Sequence, residues 1–274
     1  MMAGDFQVRF WGVRGSIPCP GQETLHYGGN TSCVEVRAGD QLLILDAGSG
    51  LQPFGQYLQS AGSISADLLL SHLHYDHILG LPFFAPAYDA ANKLRVWAGN
   101  CSAGVEAALH QFLQPPFFPV PLKHLTARFS FRDFSSGDTL ELSPEVCART
   151  CVLNHPDGAT GYRIEYDGRA LCYVTDTEHP ARGLDSAILQ LIRDADTVIY
   201  DSTYNDSDYP SHRGWGHSTW EAGLALCEAA GARRLVVFHH APERSDSELQ
   251  QLDAELHRRR PGSVVAREGM VLQL

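Results

Sequence analysis

The sequence predicts an α+β fold in which two β-sheets pack face to face with helices on the outside. Three observations lead there. Short β-branched or apolar runs bounded by Gly, Asn and Asp recur along the 274-residue chain. Helix-like stretches punctuate them, so strands and helices divide into layers rather than a bundle. Several apolar runs stop at a His or an Asp, which places polar side chains at strand C-termini, where they can converge on one rim of a sandwich.

In chain order, strand signals fall at 6–11, 33–37 and 41–46, separated by Gly-rich turns. A helix-like stretch covers 51–61. Segment 67–71 is an apolar run that reads as a buried strand, and 94–98 is another. A helix follows at 103–113. Segment 114–122 is rich in Pro and Phe and can be neither helix nor central strand. It reads as a surface connection packing its Phe residues on the core, or as a lid or dimer contact beside the site. Extended runs resume at 150–154, 161–166, 170–175, 197–200 and 235–238, with helices at 185–194, 219–231 and 246–257. Ser218 or Thr219 can cap the second of these, with Glu221 in its first turn. Arg258, Arg259 and Arg260 complement the C-terminal dipole of the last. No repeat of solenoid period is visible, and one domain over 1–274 is expected.

Hydrophobic residues make up 44% of the chain, enough for a sizeable core. The formal charge of −11 argues against a general nucleic-acid binder, which normally shows a basic face. It leaves room for a small anionic substrate, because a local metal site overrides the global field. No signal-peptide core and no run of about 18 apolar residues is seen, so no membrane role is expected. The seven cysteines are irregularly spaced without a Cys-x-x-Cys pair, which fits a reduced, cytoplasmic protein.

The densest chemistry is His72-Leu73-His74-Tyr75-Asp76-His77, directly after the apolar run 67–71. A single His near a strand end is ordinarily a satisfied polar residue. Three His and an Asp in six positions each carry a desolvation cost unless paired, and together they point to metal. In an extended segment His72 and His74 face the same way. Imidazole and carboxylate suit zinc, manganese or iron. Further ligands stand where other apolar runs end: His155, Asp176 and His239, with Asp176 the best bridge between two ions. Two divalent ions bring +4 and two carboxylates return −2. The remainder favours an anionic substrate, and a pair of ions about 3.5–4 Å apart suits displacement at phosphorus.

His72-x-His74-x-Asp76-His77, followed by His155, Asp176 and His239, resembles the metallo-β-lactamase fold superfamily over nearly the whole chain. The resemblance implies an αββα sandwich with a metal site at one edge. It implies one ion on His72, His74, His155 and Asp176, and another on Asp76, His77, Asp176 and His239. His239 is preferred to His240 by its place after the strand, which leaves His240 a supporting or substrate contact.

Gly216-His217-Ser218-Thr219 resembles the His-Ser-Thr motif of the tRNase Z and cyclic phosphodiesterase branch, where the histidine helps deliver a proton to the leaving group. Imidazole titrates near neutrality, as a general acid needs. An acidic residue should orient His217, and Asp76 or Asp201 would serve. The long basic arm expected of a tRNA-processing member is not visible. The opening 11–18 and 27–33 resemble a bacterial group of this branch. Arg213 is a candidate phosphate clamp, and Tyr204 and Tyr209 are candidate stacking surfaces. The expected function is a dinuclear phosphodiesterase, with two divalent ions (zinc foremost, manganese or iron otherwise), His217 and Asp76 as catalytic groups and a small phosphodiester as substrate. The alternatives are a thioester or lactone hydrolase, or a non-catalytic metal-dependent sensor.

Overall fold

The computed structural model describes residues 5–274, which form two seven-stranded sheets packed face to face. The strands are β1 (Phe6–Gly12), β2 (Cys33–Ala38), β3 (Gln41–Leu45), β4 (Ser65–Leu70), β5 (Lys93–Gly99), β6 (Arg128–Phe134), β7 (Thr139–Glu141), β8 (Cys147–Leu153), β9 (Ala159–Tyr166), β10 (Arg169–Val174), β11 (Thr197–Asp201), β12 (Arg234–Phe238), β13 (Val264–Val265) and β14 (Val271–Gln273). The first sheet runs β14-β1-β2-β3-β4-β5-β6 and the second β13-β12-β11-β10-β9-β8-β7. The last strand thus returns to pair antiparallel with the first.

The core between the sheets joins Phe10, Val36 and Leu43 to Tyr162, Tyr173, Ile199 and Phe238. Two outer clusters cover the remaining faces. Helices α1 (Leu51–Leu58) and α3 (Val105–Phe112) lie on the first sheet, while α4 (Ser186–Leu191), α5 (Trp220–Ala230) and α6 (Asp246–Arg259) lie on the second. Strands buried on both faces carry continuous apolar runs, which explains 68–70 and 198–200. Leu68, Leu69 and Leu70 are each at most 3% exposed, and burying each such side chain stabilises by about 1.5–3 kcal/mol. That ties the start of the His cluster to the core.

Direction matters as much as burial. β3 and β4 run parallel, as do β10, β11 and β12, so their C-terminal ends open on common rims. Thr219 caps α5, its hydroxyl accepting from the Ala222 amide at 3.1 Å, and a Ser245/Glu248 capping box starts α6.

Several elements differ from expectation. β6 and β7 are strands that the sequence pattern did not flag. In β6, Arg128, Ser130 and Arg132 interrupt Phe129 and Phe131 at a half-exposed sheet edge, and β7 is only three residues long. The helix expected over 103–113 begins only at Val105, after Gly104 at φ +84°. Within 114–122, Phe118 packs edge-on against Phe83 at 5.8 Å while Phe117 is exposed. Among the described residues no helix is long and apolar enough to cross a membrane.

Candidate metal centre

The site is built where the parallel strands stop. Asp46 follows β3, Asp176 lies two residues past β10, and His239 follows β12. Their φ values of 61°, 52° and 60° are in the left-handed region. Each such non-glycine residue costs about 1–3 kcal/mol and persists only where the surroundings over-determine it. Here all three strained residues turn their side chains to one place. His72 and His74 follow β4, and a single helical turn, α2 (Tyr75–Ile78), supplies Asp76 and His77.

The structure gathers His72, His74 and His155 in one group and Asp76, His77, Asp176 and His239 in another. Asp176 stands between them. Its Oδ1 lies 3.9 Å from His72 Nε2 and 3.8 Å from His155 Nε2. Its Oδ2 lies 3.2 Å from both His77 Nε2 and His239 Nε2. Asp76 Oδ2 closes the second group at 3.2 Å from His77 Nε2 and 3.4 Å from His239 Nε2. His74 approaches by its other nitrogen, with Nδ1 3.1 Å from His155 Nε2.

These residues fit a divalent cation. The Nε2 atoms of His72, His77 and His239 are buried and make no hydrogen bond, a costly arrangement for any polar atom that has nothing to meet. Burial works against the ionised forms of Asp76 and Asp176, yet the surrounding imidazoles hold both well below the usual carboxylate range. Burial likewise opposes charge on His77, but Asp176, Asp76 and Asp46 push it well above the usual imidazole range. The cluster therefore demands positive charge, which a cation supplies without a proton. Burial lowers His72 and His155, leaving their lone pairs free for such an ion. The His/Asp cluster thus suggests a divalent-metal site.

Fixed partners on the opposite ring nitrogens aim these atoms. Asp46, fully buried, accepts from His77 Nδ1 at 2.8 Å, Tyr173 Oη at 2.7 Å, and the Ser71 amide and hydroxyl at 2.7 and 2.9 Å. The Ser71 hydroxyl is in turn 3.0 Å from His72 Nδ1, so one carboxylate orients a histidine in each group. His155 Nδ1 donates to the Gly216 carbonyl at 2.8 Å. His239 Nδ1 meets Thr203 Oγ1 at 3.0 Å, and that hydroxyl reaches Asp201 at 2.9 Å. Replacing Asp46→Asn should weaken metal affinity about 10–100-fold, read by competition with a chelating dye. Unchanged affinity would mean that the carboxylate does not orient the histidines.

His217 completes the rim. Its Nδ1 is 3.0 Å from Asp201 Oδ2, so Asp201 rather than Asp76 orients it. Burial lowers its basicity, but the charge and hydrogen bond of Asp201 outweigh this and raise it to about 9. Glu178 holds its loop, accepting from Tyr209 Oη at 2.9 Å, the Gly214 amide at 2.9 Å and the Gly216 amide at 3.0 Å. Gly216 sits at φ +82°, and a Cβ there would lie 2.4 Å from His155 Nδ1.

The 11–18 motif backs the site from behind. A Cβ on Gly15 would stand 2.4 Å from the His239 ring, and the Ser16 amide donates to Asp76 Oδ2 at 2.7 Å. Arg14 is fully buried and bonds the carbonyls of Gly28, Ala241 and Arg244. His240 also lies inside, bonding the Ala266 carbonyl at 2.8 Å, with its basicity lowered by burial to about 3. It does not line the cleft over the metal groups. Nor do Arg213, whose guanidinium sits over the Tyr209 ring at 5.7 Å, and Tyr209, which is 8% exposed. Tyr204 is likewise buried, stacked on His212 at 4.2 Å. That cleft, about 360 Å³, is instead flanked by Tyr75 and Trp215, which the sequence did not single out. Asp46 ends an apolar run as Asp176 does, and that signal would have found it. Glu178 and Thr203 leave no such trace.

The beta-lactamase superfamily domain model matches residues 43–240, most of the chain and both candidate ligand groups. A ribonuclease Z of Haloarcula marismortui is 23% identical over 96% of this chain and 95% of its own. The short form of human tRNase Z superposes with a TM-score of 0.69 at 18% identity, over 97% of this chain and 98% of that one. A diphosphatase from the PhnP family superposes with a TM-score of 0.71 at 17% identity, over 98% of each. The chain belongs to the beta-lactamase superfamily, and its fold is that of the metallo-β-lactamases.

Proposed function

We propose that this protein is a dinuclear metal-dependent phosphodiesterase acting on a small phosphodiester. One observation carries the reading: the two oxygens of Asp176 face different histidine groups, Oδ1 toward His72 and His155, Oδ2 toward His77 and His239. A carboxylate so placed suits a bridge between two cations. Asp76, His77, Asp176 and His239 would hold one ion, and His72, His74, His155 and Asp176 the other. When bound, such a pair supplies a Lewis-acidic clamp on phosphoryl oxygens and lowers the pKa of a water. The ribonuclease Z relatives support the phosphodiester class of reaction.

The chain's own residues then supply position and proton. His217 lines the cleft beside His155 and Asp176. With Nδ1 engaged by Asp201, the ring's Nε2 is left to carry a proton to the departing oxygen. Asp201 stabilises the imidazolium and fixes the ring plane. Glu178 keeps the loop from swinging His217 away from the rim.

Metal-reconstituted protein should hydrolyse bis-p-nitrophenyl phosphate, measured by nitrophenolate release. Turnover of a thioester or lactone with none of the phosphodiester would overturn the reading in favour of an acyl hydrolase. Inactivity toward all three would favour a metal-dependent sensor.

A further inference from the structure

We propose that the substrate is a mononucleotide-sized phosphodiester whose base stacks on Trp215 at the mouth of the cleft, opposite Tyr75. This inference rests on the phosphodiesterase reading and adds the substrate's shape and charge. Trp215 is 62% exposed and Tyr75 69% exposed, yet both line the same cleft as His74, Asp76 and His217. Large aromatic side chains left in water at a concave site forgo burial that they would gain elsewhere, and an aromatic ligand restores it. Neither ring is loose. Trp215 packs edge-on against His212 at 5.1 Å, and its two glycine neighbours donate to Glu178. Tyr75 leans on Phe112 at 6.1 Å. Rings fixed in advance make better stacking surfaces than mobile ones, because less freedom is lost on binding.

Charge limits the size of the ligand. Beyond His74, a second pocket of about 570 Å³ opens beneath loop 100–104, with Ser102, Gln111 and Asp157 among its lining groups. Among the described residues no Lys or Arg lines either cavity. A nucleic-acid strand or a polyphosphate brings several anionic groups that are normally met by Lys and Arg, and a cleft without them lacks that source of affinity. One phosphate, held at the metal groups, is what the charge distribution accommodates. The hydroxyl and amide groups of the second pocket suit the uncharged polar part on the far side of the ester. Both volumes fall in the range of small-ligand sites.

The test uses the metal-loaded full chain and two probes that share sugar and phosphate and differ only in the base, adenosine 5′-phosphate and ribose 5-phosphate. Each is titrated while tryptophan emission is followed, and each is assayed as an inhibitor of bis-p-nitrophenyl phosphate turnover. The nucleotide should bind about tenfold or more tightly than the sugar phosphate and quench emission. Trp215→Ala should erase most of that ratio and the quench, while Trp215→Phe should keep most of the ratio. Trp215 is exposed, so both variants should fold. Equal binding of the two probes, or a ratio indifferent to Trp215→Ala, would overturn the stacking site. An oligouridylate that binds more tightly than the nucleotide, with a steep salt dependence, would overturn the single-phosphate limit. Loss of the phosphodiesterase reading would show separately, as no turnover of the ester while base-dependent quenching persists.

Discussion

Asp176→Ala should leave at most one tightly bound ion per chain and lower phosphodiester hydrolysis on the order of a thousandfold, since a metal clamp is worth several kcal/mol of transition-state stabilisation. The cause lies in the carboxylate's position. It is 2% exposed, and its two oxygens are within 3.9 Å of five imidazoles, four of them in the two groups and the fifth that of His217. No other described side chain reaches both groups in this way. Thr175 donates to Oδ2 at 2.6 Å and the residue adopts φ 52°, so the chain accepts local strain to hold it there. Asp176→Asn is the companion variant. It keeps shape and volume but offers one carbonyl oxygen in place of two, and should lose one ion with a smaller structural disturbance. Elemental analysis after gel filtration and a circular dichroism spectrum separate metal loss from misfolding. Full occupancy in a folded Asp176→Asn protein, with activity retained, would remove the bridge from the account.

His217→Ala should cost about a hundredfold to ten-thousandfold in kcat, the range for a lost general acid, while metal content stays as in the wild type. The two readouts discriminate between roles. If the imidazole acted chiefly as a ligand, occupancy would fall with activity. If it acted only to start α5 from its loop, melting temperature would fall and kcat would hold. Asp201→Asn should produce a milder loss of the same kind, because it leaves the ring in place without the carboxylate that stabilises its charged form. A leaving group that needs no proton provides the internal control. Esters of strongly acidic phenols should be far less sensitive to His217→Ala than alkyl esters, and equal sensitivity would contradict the proton-donor role.

The two candidate ligand groups were legible because strand burial and ligand chemistry leave a joint mark. Asp176 and His239 each end an apolar run, and His72 to His77 crowd behind another run several polar groups that each carry a desolvation cost unless paired. The strands flanking the site were legible for the same reason, since parallel strands buried on both faces are apolar throughout. β6 and β7 were not, because an edge strand half in water carries Arg and Ser among its aromatics. The residues that aim the ligands were harder to see. Thr203 and Glu178 are polar residues in loops, and only the fold brings them to His239 and to the His217 loop. Tyr204 and Tyr209 mislead as stacking surfaces for a related reason. A tyrosine in a Gly- and Pro-rich loop looks exposed, but Tyr209 is drawn inward by Glu178 and Tyr204 by His212, and Trp215 takes the outer position.

The most direct test of the two-ion account is a metal titration of chelator-stripped protein, with binding followed by calorimetry and hydrolysis of bis-p-nitrophenyl phosphate followed on the same samples. A two-ion site should saturate at two ions per chain, with hydrolysis rising as the second ion binds. Saturation at one ion, or full activity reached at one, would contradict it.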